Sequence, residues 1–133
     1  MPLILLGAPL GNVEDASNRL RTVLASADVI AAEDTRRLHR LASAIGVTLA
    51  GRVVSYFEGN ERRRTADLVE VIRGGATVAL VTDGGMPSVS DPGYRLVRAT
   101  VEAGLPVTAA PGPSAVTTAL AVSGLPSDRF CFE

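Results

Sequence analysis

The chain has 133 residues, 47% of them hydrophobic and only 4% aromatic, with a formal net charge of −1. That length gives one domain or a piece of a larger protein, with a core filled by Val, Leu, Ile and Ala. The charge gives no global pull towards nucleic acid or membrane; one cysteine (Cys131) excludes an internal disulfide, and one histidine (His39) excludes a multi-histidine metal site.

Apolar runs alternate with helical patterns along the whole chain. Leu3–Leu6 reads as a first strand, and the amino terminus lacks the basic start of a signal peptide. No run of ~18 apolar residues occurs, so no transmembrane helix is expected, and a soluble cytoplasmic protein is the default. The loop Gly7-Ala8-Pro9-Leu10-Gly11-Asn12 follows, then a helix around Ser17–Ser26 with Leu20, Val23 and Leu24 on one face. Val29–Ala32 is a second strand, ending in Glu33-Asp34-Thr35-Arg36, and a helix from about Arg37 to Ile45 closes at Gly46. Val53–Tyr56 is a weaker third strand. The next helix is capped by Asn60, buries Leu68, Val69 and Ile72, and ends at Gly74-Gly75.

Thr77–Val81 is the fourth strand. A helix over about Pro92–Ala103 follows, with Asp91 as N-cap and Pro92 in the first helical position. It buries Leu96, Val97, Thr100 and Val101. Val107–Ala110 is the fifth strand, followed by Pro111-Gly112-Pro113-Ser114, a helix over Ala115–Ser123, and the tail Leu125–Glu133. Strand–helix alternation of this kind predicts an α/β fold: a Rossmann-like parallel five-stranded sheet with helices on both faces and right-handed crossovers.

This arrangement aligns four unusual loops at the carboxyl ends of the strands: Gly7–Asn12, Glu33–Arg36, Asp83–Gly93 and Pro111–Ser114. In open α/β sheets, ligands bind in the crevice outside that rim. Each loop taken singly also reads as an ordinary Gly/Pro turn. Asp83 can accept hydrogen bonds from a ribose hydroxyl, and Gly84-Gly85 allow close backbone approach. Glu33 and Asp34 are candidate proton acceptors. Arg36, Arg37 and Arg40 form a basic group at an unfavourable helix end and read as a phosphate site, against the bland alternative of a solvated helix start. Arg62-Arg63-Arg64 reads first as a solvated face and second as an RNA contact. All 13 basic residues are Arg. GxxxxGK[ST], GxGxxG and GxSxG are absent, which argues against a P-loop hydrolase, a nicotinamide dehydrogenase and an α/β-hydrolase.

The four loops, with Ala32-Glu33-Asp34-Thr35-Arg36, Val81–Gly93, Pro111–Ala115 and Gly124-Leu125-Pro126-Ser127-Asp128-Arg129-Phe130, resemble in order and spacing the tetrapyrrole methylase superfamily. The ribosomal RNA branch, whose members methylate a cytidine 2′-hydroxyl of 16S rRNA, is the most similar. The resemblance implies S-adenosylmethionine as cofactor, 16S rRNA or the small ribosomal subunit as partner, a homodimer, and no metal. It places cofactor contacts at Leu10, Asp83, Met86, Ser114 and Ala115. Loop position and charge alone add catalytic candidates, Glu33 or Asp34 as base and Arg36 on a neighbouring phosphate, with Arg36, Arg37 and Arg40 as substrate contacts. Gly84-Gly85-Met86 departs from the more usual Ala-Gly-Thr at that point. The family continues beyond the position of Glu133, so residues 1–133 are expected to form the amino-terminal domain, with residues from about 113 leading into a second one. Two rivals are a small-molecule methylase of the same superfamily, acting on a corrin, porphyrin or diphthine-type substrate, and a non-enzymatic ligand-binding α/β domain.

Overall fold

Each strand is four residues long, and its burial reveals its place in the sheet. β1 (Leu3–Leu6), β2 (Val29–Ala32), β3 (Arg52–Ser55), β4 (Val78–Val81) and β5 (Val107–Ala110) pair in the order β3-β2-β4-β1-β5, all neighbours parallel. β2 and β4 are buried at all four positions, as interior strands covered on both faces should be. β3 and β5 lie at the edges and are the most exposed. The computed structural model describes residues 2–90 and 92–133.

Side chains alternate across the sheet, and the two faces gather different helices. Val29, Ala31, Val78 and Leu80 pack with Leu68, Val69 and Ile72 of α3 (Glu61–Arg73) and Leu96 of α4 (Tyr94–Glu102). On the other face Leu6, Ile30, Ala32, Ala79 and Val81 pack with Leu20 and Leu24 of α1 (Asn18–Ser26) and Leu38 of α2 (Thr35–Ala44). The connections β1→β2 and β2→β3 run one way along the sheet and use one face. Those from β3 to β4 and from β4 to β5 run the other way and use the opposite face. A single, right-handed sense of crossover requires this segregation. No residue of α5 (Ala115–Val122) is buried. Among the described residues no helix is long and apolar enough to cross a membrane.

Several boundaries depart from the sequence reading; β4, for one, starts at Val78 and not Thr77. A 3-10 turn at Val13–Asp15, capped by Asn12, fills the first connection. β3 is shifted one residue earlier, to Arg52–Ser55. α2 starts at Thr35, two residues before the expected start, because the Asp34 carboxylate caps it through the N–H groups of Arg36 and Arg37. α4 starts at Tyr94 rather than Pro92: Gly93 is its N-cap at φ 134, and a Cβ there would meet Leu80 Cδ2 at 2.8 Å. The capping role read for Asp91 falls outside the described residues.

Leu80 is fully buried on β4. Leu80→Ala should therefore lower unfolding free energy by about 2–5 kcal/mol through lost burial and the cavity left behind. Thr108→Ala, exposed on β5, should change it by less than about 0.5 kcal/mol. Urea unfolding of both variants measures the contrast.

Candidate functional site

The registers place the last residues of all five strands side by side. Leu6 pairs with Val81 and Ala110, and Ala32 pairs with Val81 and Ser55. The loops that leave them therefore start from a level rim. β4 sends its helix to the opposite face from those of both neighbours, β1 and β2, so a crevice opens on each side of its carboxyl end.

Gly85 lies where these loops converge. Ala8 N–H donates to Gly85 O (3.0 Å), and Gly85 N–H donates back to Ala8 O (2.9 Å), an antiparallel bridge between the loops after β1 and β4. Gly85 has φ 73, a conformation that L side chains rarely adopt. A Cβ there would lie 3.5 Å from Leu10 Cδ2 and 3.6 Å from Pro113 O. Leu10, 45% exposed, thus covers Gly84-Gly85 from one side, and the loop after β5 reaches them from the other. Gly7 and Gly112 complete the contact. A Cβ on Gly7 would meet Gly112 Cα at 2.5 Å and Met86 Sδ at 2.9 Å, so only glycine permits this approach and Met86 turns its side chain inward. Ser114 is the N-cap of α5, and Ala115 is its first residue. Leu10, Asp83, Met86 and the Pro113–Ser114 segment therefore share one rim.

Carboxylates from neighbouring elements hold the Asp83–Gly93 loop at both ends. Glu33 N–H donates to Val81 O (3.2 Å), and Asp83 N–H donates to Glu33 Oε1 (3.0 Å). At the far end Gly93 N–H donates to Glu61 Oε1 (3.1 Å). Between the clamps Ser88 and Ser90 have φ 77 and 56, backbone strain that persists only where the surroundings enforce it. Glu61 also faces Arg95 (Nε to Oε2, 3.9 Å) and the Tyr56 hydroxyl (3.5 Å), which shares a 2.8 Å hydrogen bond with Thr65 Oγ1. Burial pushes Tyr56 up to about 12, so it stays a neutral phenol and serves the framework.

Asp34 and Arg37 are engaged with their own surroundings. The Arg37 backbone N–H, with smaller contributions from the Arg36 N–H and the two guanidinium charges, holds the Asp34 carboxyl below its ordinary 3.8 against a weaker opposing effect of burial. Arg37 stands between two acids, Nε 3.9 Å from Asp34 Oδ2 and Nη1 3.9 Å from Asp83 Oδ2. These distances and its exposure make both pairs weak. Arg36 and Arg40 are exposed on α2. The structure thus brings Glu33, Asp34, Arg37 and Asp83 together around a small cavity of about 70 Å³. Glu33 also borders a separate groove of about 940 Å³ that runs between α3 and α4. Sequence reasoning missed Glu61. Its one signal was an acid at the start of a helix, eclipsed by the three arginines after it.

Two outcomes test these roles. Glu61→Ala leaves the buried Gly93 N–H without its acceptor and should cost about 1–3 kcal/mol in urea unfolding, whereas Glu61→Gln keeps an oxygen there and should cost much less. Because the folded-state pKa of Asp34 is depressed, its charge stabilises the fold above 3.8, and that contribution disappears as pH falls through the lower folded value. The stability gap between the wild type and Asp34→Asn should therefore close on acidification below pH 3.8, measured by thermal unfolding across that range.

Comparison with known proteins follows the same pattern. Ribosomal RNA small subunit methyltransferase I of Mycobacterium tuberculosis is 58% identical over 131 residues, covering 98% of this chain and 46% of that protein. Proteins of the same name from Escherichia coli O157:H7 and Thermotoga maritima are 43% and 42% identical, each over 98% of this chain and over 45% and 58% of their own lengths. The chain spans about half the length of these relatives. The crystal structure of uroporphyrin-III-C-methyltransferase from Thermus thermophilus aligns with a TM-score of 0.66 at 28% identity, over 94% of this chain and 52% of that one. The profile of the Tetrapyrrole (Corrin/Porphyrin) Methylases matches residues 2–131, and the chain belongs to that family.

Proposed function

We propose that this chain forms the amino-terminal α/β domain of an S-adenosylmethionine-dependent methyltransferase that acts on a cytidine 2′-hydroxyl of 16S rRNA. Residues from about 113 onward lead into a carboxy-terminal domain, and the intact protein works as a cytoplasmic homodimer. The observation that carries this reading is the convergence of three strand-end loops on Gly85, in a chain 58% identical over 131 residues to a small-subunit rRNA methyltransferase. The small-molecule alternative has weaker support, since the porphyrin-acting neighbour is 28% identical.

The rim suits such a cofactor. Gly84 and Gly85 leave backbone uncovered by Cβ atoms, and Leu10 offers an apolar cover. The Asp83 carboxylate, about a third exposed, can accept from ribose hydroxyls. Met86 and the Ser114-Ala115 backbone hold the same ligand from the β4 and β5 sides. When bound, S-adenosylmethionine supplies a methyl group already activated by its sulfonium. The protein's task is then orientation: the nucleophile must lie in line with that methyl group at ~3–3.5 Å. A hydroxyl nucleophile must lose its proton, and Glu33 would receive it. Glu33 borders both the small cavity beside Asp83 and the groove beyond it. Asp34, held below its ordinary range by the helix N–H groups, is the weaker base and serves mainly to orient α2. Arg36 and Arg40, with Arg37 turned towards Asp83, hold substrate phosphate.

Calorimetric titration of S-adenosylmethionine into the intact protein should give saturable heat, weakened at least about tenfold in Asp83→Ala. Glu33→Gln retains an acceptor for the Asp83 N–H. It should keep cofactor affinity while lowering kcat about 100-fold or more. No heat from the intact protein would overturn the methyltransferase reading, and unchanged turnover in Glu33→Gln would remove that residue from proton transfer.

A further inference from the structure

The groove that starts at Glu33 has a composition of its own. It occupies about 940 Å³ between the amino end of α3 and the length of α4, and Phe57 and Tyr94 stand in its walls. The chain has three Phe, two Tyr and no Trp. Tyr56 is buried, and Phe130 and Phe132 lie in the tail after α5. The folded body thus exposes two aromatic rings, Phe57 at 45% and Tyr94 at 60%, and both face this groove.

Phe57 is held in place. Its N–H donates to Asn60 Oδ1 (2.9 Å), and Asn60 Nδ2 donates to Ser55 O and Oγ (3.2 and 3.0 Å). The expected cap at Asn60 is therefore replaced by a brace across the loop, with no side-chain bond to the helix itself. The ring lies against Gly59, where a Cβ would meet Cε2 at 2.5 Å. A fixed loop that keeps a phenyl ring half in water forgoes apolar burial, and such exposed apolar surface marks a contact site.

The charge of the groove narrows the ligand. Arg62, Arg95 and Arg98 face Glu33, Glu58, Glu61 and Glu102. Arg98 Nε pairs with Glu102 Oε1 at 2.8 Å and Arg95 Nε with Glu61 Oε2 at 3.9 Å. There is no surplus of positive charge to track a phosphate backbone. Exposed aromatic rings beside paired arginines, in a trough with one acid more than its bases, suit unstacked bases better than a phosphate backbone.

We propose that this groove receives a single-stranded RNA segment adjoining the methylated nucleotide, with its bases stacked on Phe57 and Tyr94. The inference rests on the rRNA reading given above and adds where the substrate lies. Glu33, the proton acceptor of that reading, borders the groove at the rim, so a chain bound along it brings a neighbouring ribose to the cofactor crevice. Phosphate contacts then fall to the exposed Arg36 and Arg40 on α2, across Glu33 from the groove.

The test uses the intact protein and a short fluorescein-labelled oligocytidylate, read by anisotropy. Phe57→Ala and Tyr94→Ala should each weaken binding about tenfold, with Phe57→Trp restoring it, and with S-adenosylmethionine affinity and melting temperature unchanged. The salt slope of binding should stay the same in Phe57→Ala and fall in Arg36→Ala. Methyl transfer to 16S rRNA by the wild type separates the two readings. If transfer is present while both aromatic variants bind and turn over as the wild type does, the groove is overturned and the rRNA reading stands. If transfer is absent while the variants lose oligocytidylate binding, the groove stands and the rRNA reading falls. A change of mass on size exclusion in either variant would make the groove an interface between copies and would also overturn the proposal.

Discussion

Two hydrogen bonds between Ala8 and Gly85 tie the loop after β1 to the loop after β4, and the rest of the rim is arranged around them. They can form only because β1 and β4 are neighbours in the sheet and end level, Leu6 beside Val81. Gly85 must also accept a positive φ, and Gly7 must lie against Gly112 with no Cβ between them. The constraint is covalent and steric before it is chemical. Backbones from three strands come within contact distance, and any side chain larger than hydrogen at Gly7 or Gly112 would separate them. A ligand bound over this rim meets main-chain groups whose positions the buried strands define, which is the preorganisation that a transfer reaction needs.

That rigidity would be lost if the eleven or so residues after β4 moved as a free loop, a length at which loops are commonly mobile or functional. The structure prevents this by spending carboxylates on backbone. Glu33 receives the first N–H of the loop and Glu61 the last. One acid comes from the β2 side of the sheet and the other from the start of α3, so the loop is anchored to elements on either side of it. The strain at Ser88 and Ser90 is sustained between those anchors. In this protein an acid beside the site therefore has a structural role before a catalytic one. Asp34 is the plain case: two helix N–H groups occupy its Oδ1, and the same bonds that start α2 lower its basicity.

Most of the architecture was legible because it depends on local pattern. Short apolar runs bounded by Gly and Pro gave strands, and the continuous burial of Val78–Val81 is what an interior parallel strand looks like in sequence. The four loops at the rim followed from the strands. The strand order did not, because nothing local to Leu3–Leu6 says that its neighbours are β4 and β5. The start of α4 was misread because Asp91-Pro92 fits an N-terminal helix signature so well, while the close packing of Gly93 on Leu80 is a tertiary contact. Glu61 escaped for the same reason: an acid at a helix start complements the dipole, and its second partner lies 32 residues away in sequence. Phe57 escaped because exposure is a property of the folded loop and not of the residue type.

The net charge of −1, taken alone, argued against any attraction to nucleic acid, and the structure shows why a total is a poor guide. Several arginines are committed to the fold. Arg21 Nη1 donates to Ile45 O at the end of α2 (2.7 Å), Arg37 sits between Asp34 and Asp83, and Arg98 is paired with Glu102. Several acids are committed as well: Glu33, Asp34 and Glu61 to helix and loop N–H groups, and Asp83 and Glu102 to these same arginines. Near the rim the exposed arginines are segregated: Arg36 and Arg40 on α2 to one side of Glu33, and Arg63 beside Phe57 to the other. A polyanion approaching the rim meets these local groups and not the sum, since at physiological salt a charge is felt over only about 8 Å. With cations flanking a nearly neutral, aromatic-walled groove, charge would set where a nucleic acid arrives, and stacking would set which part of it stays.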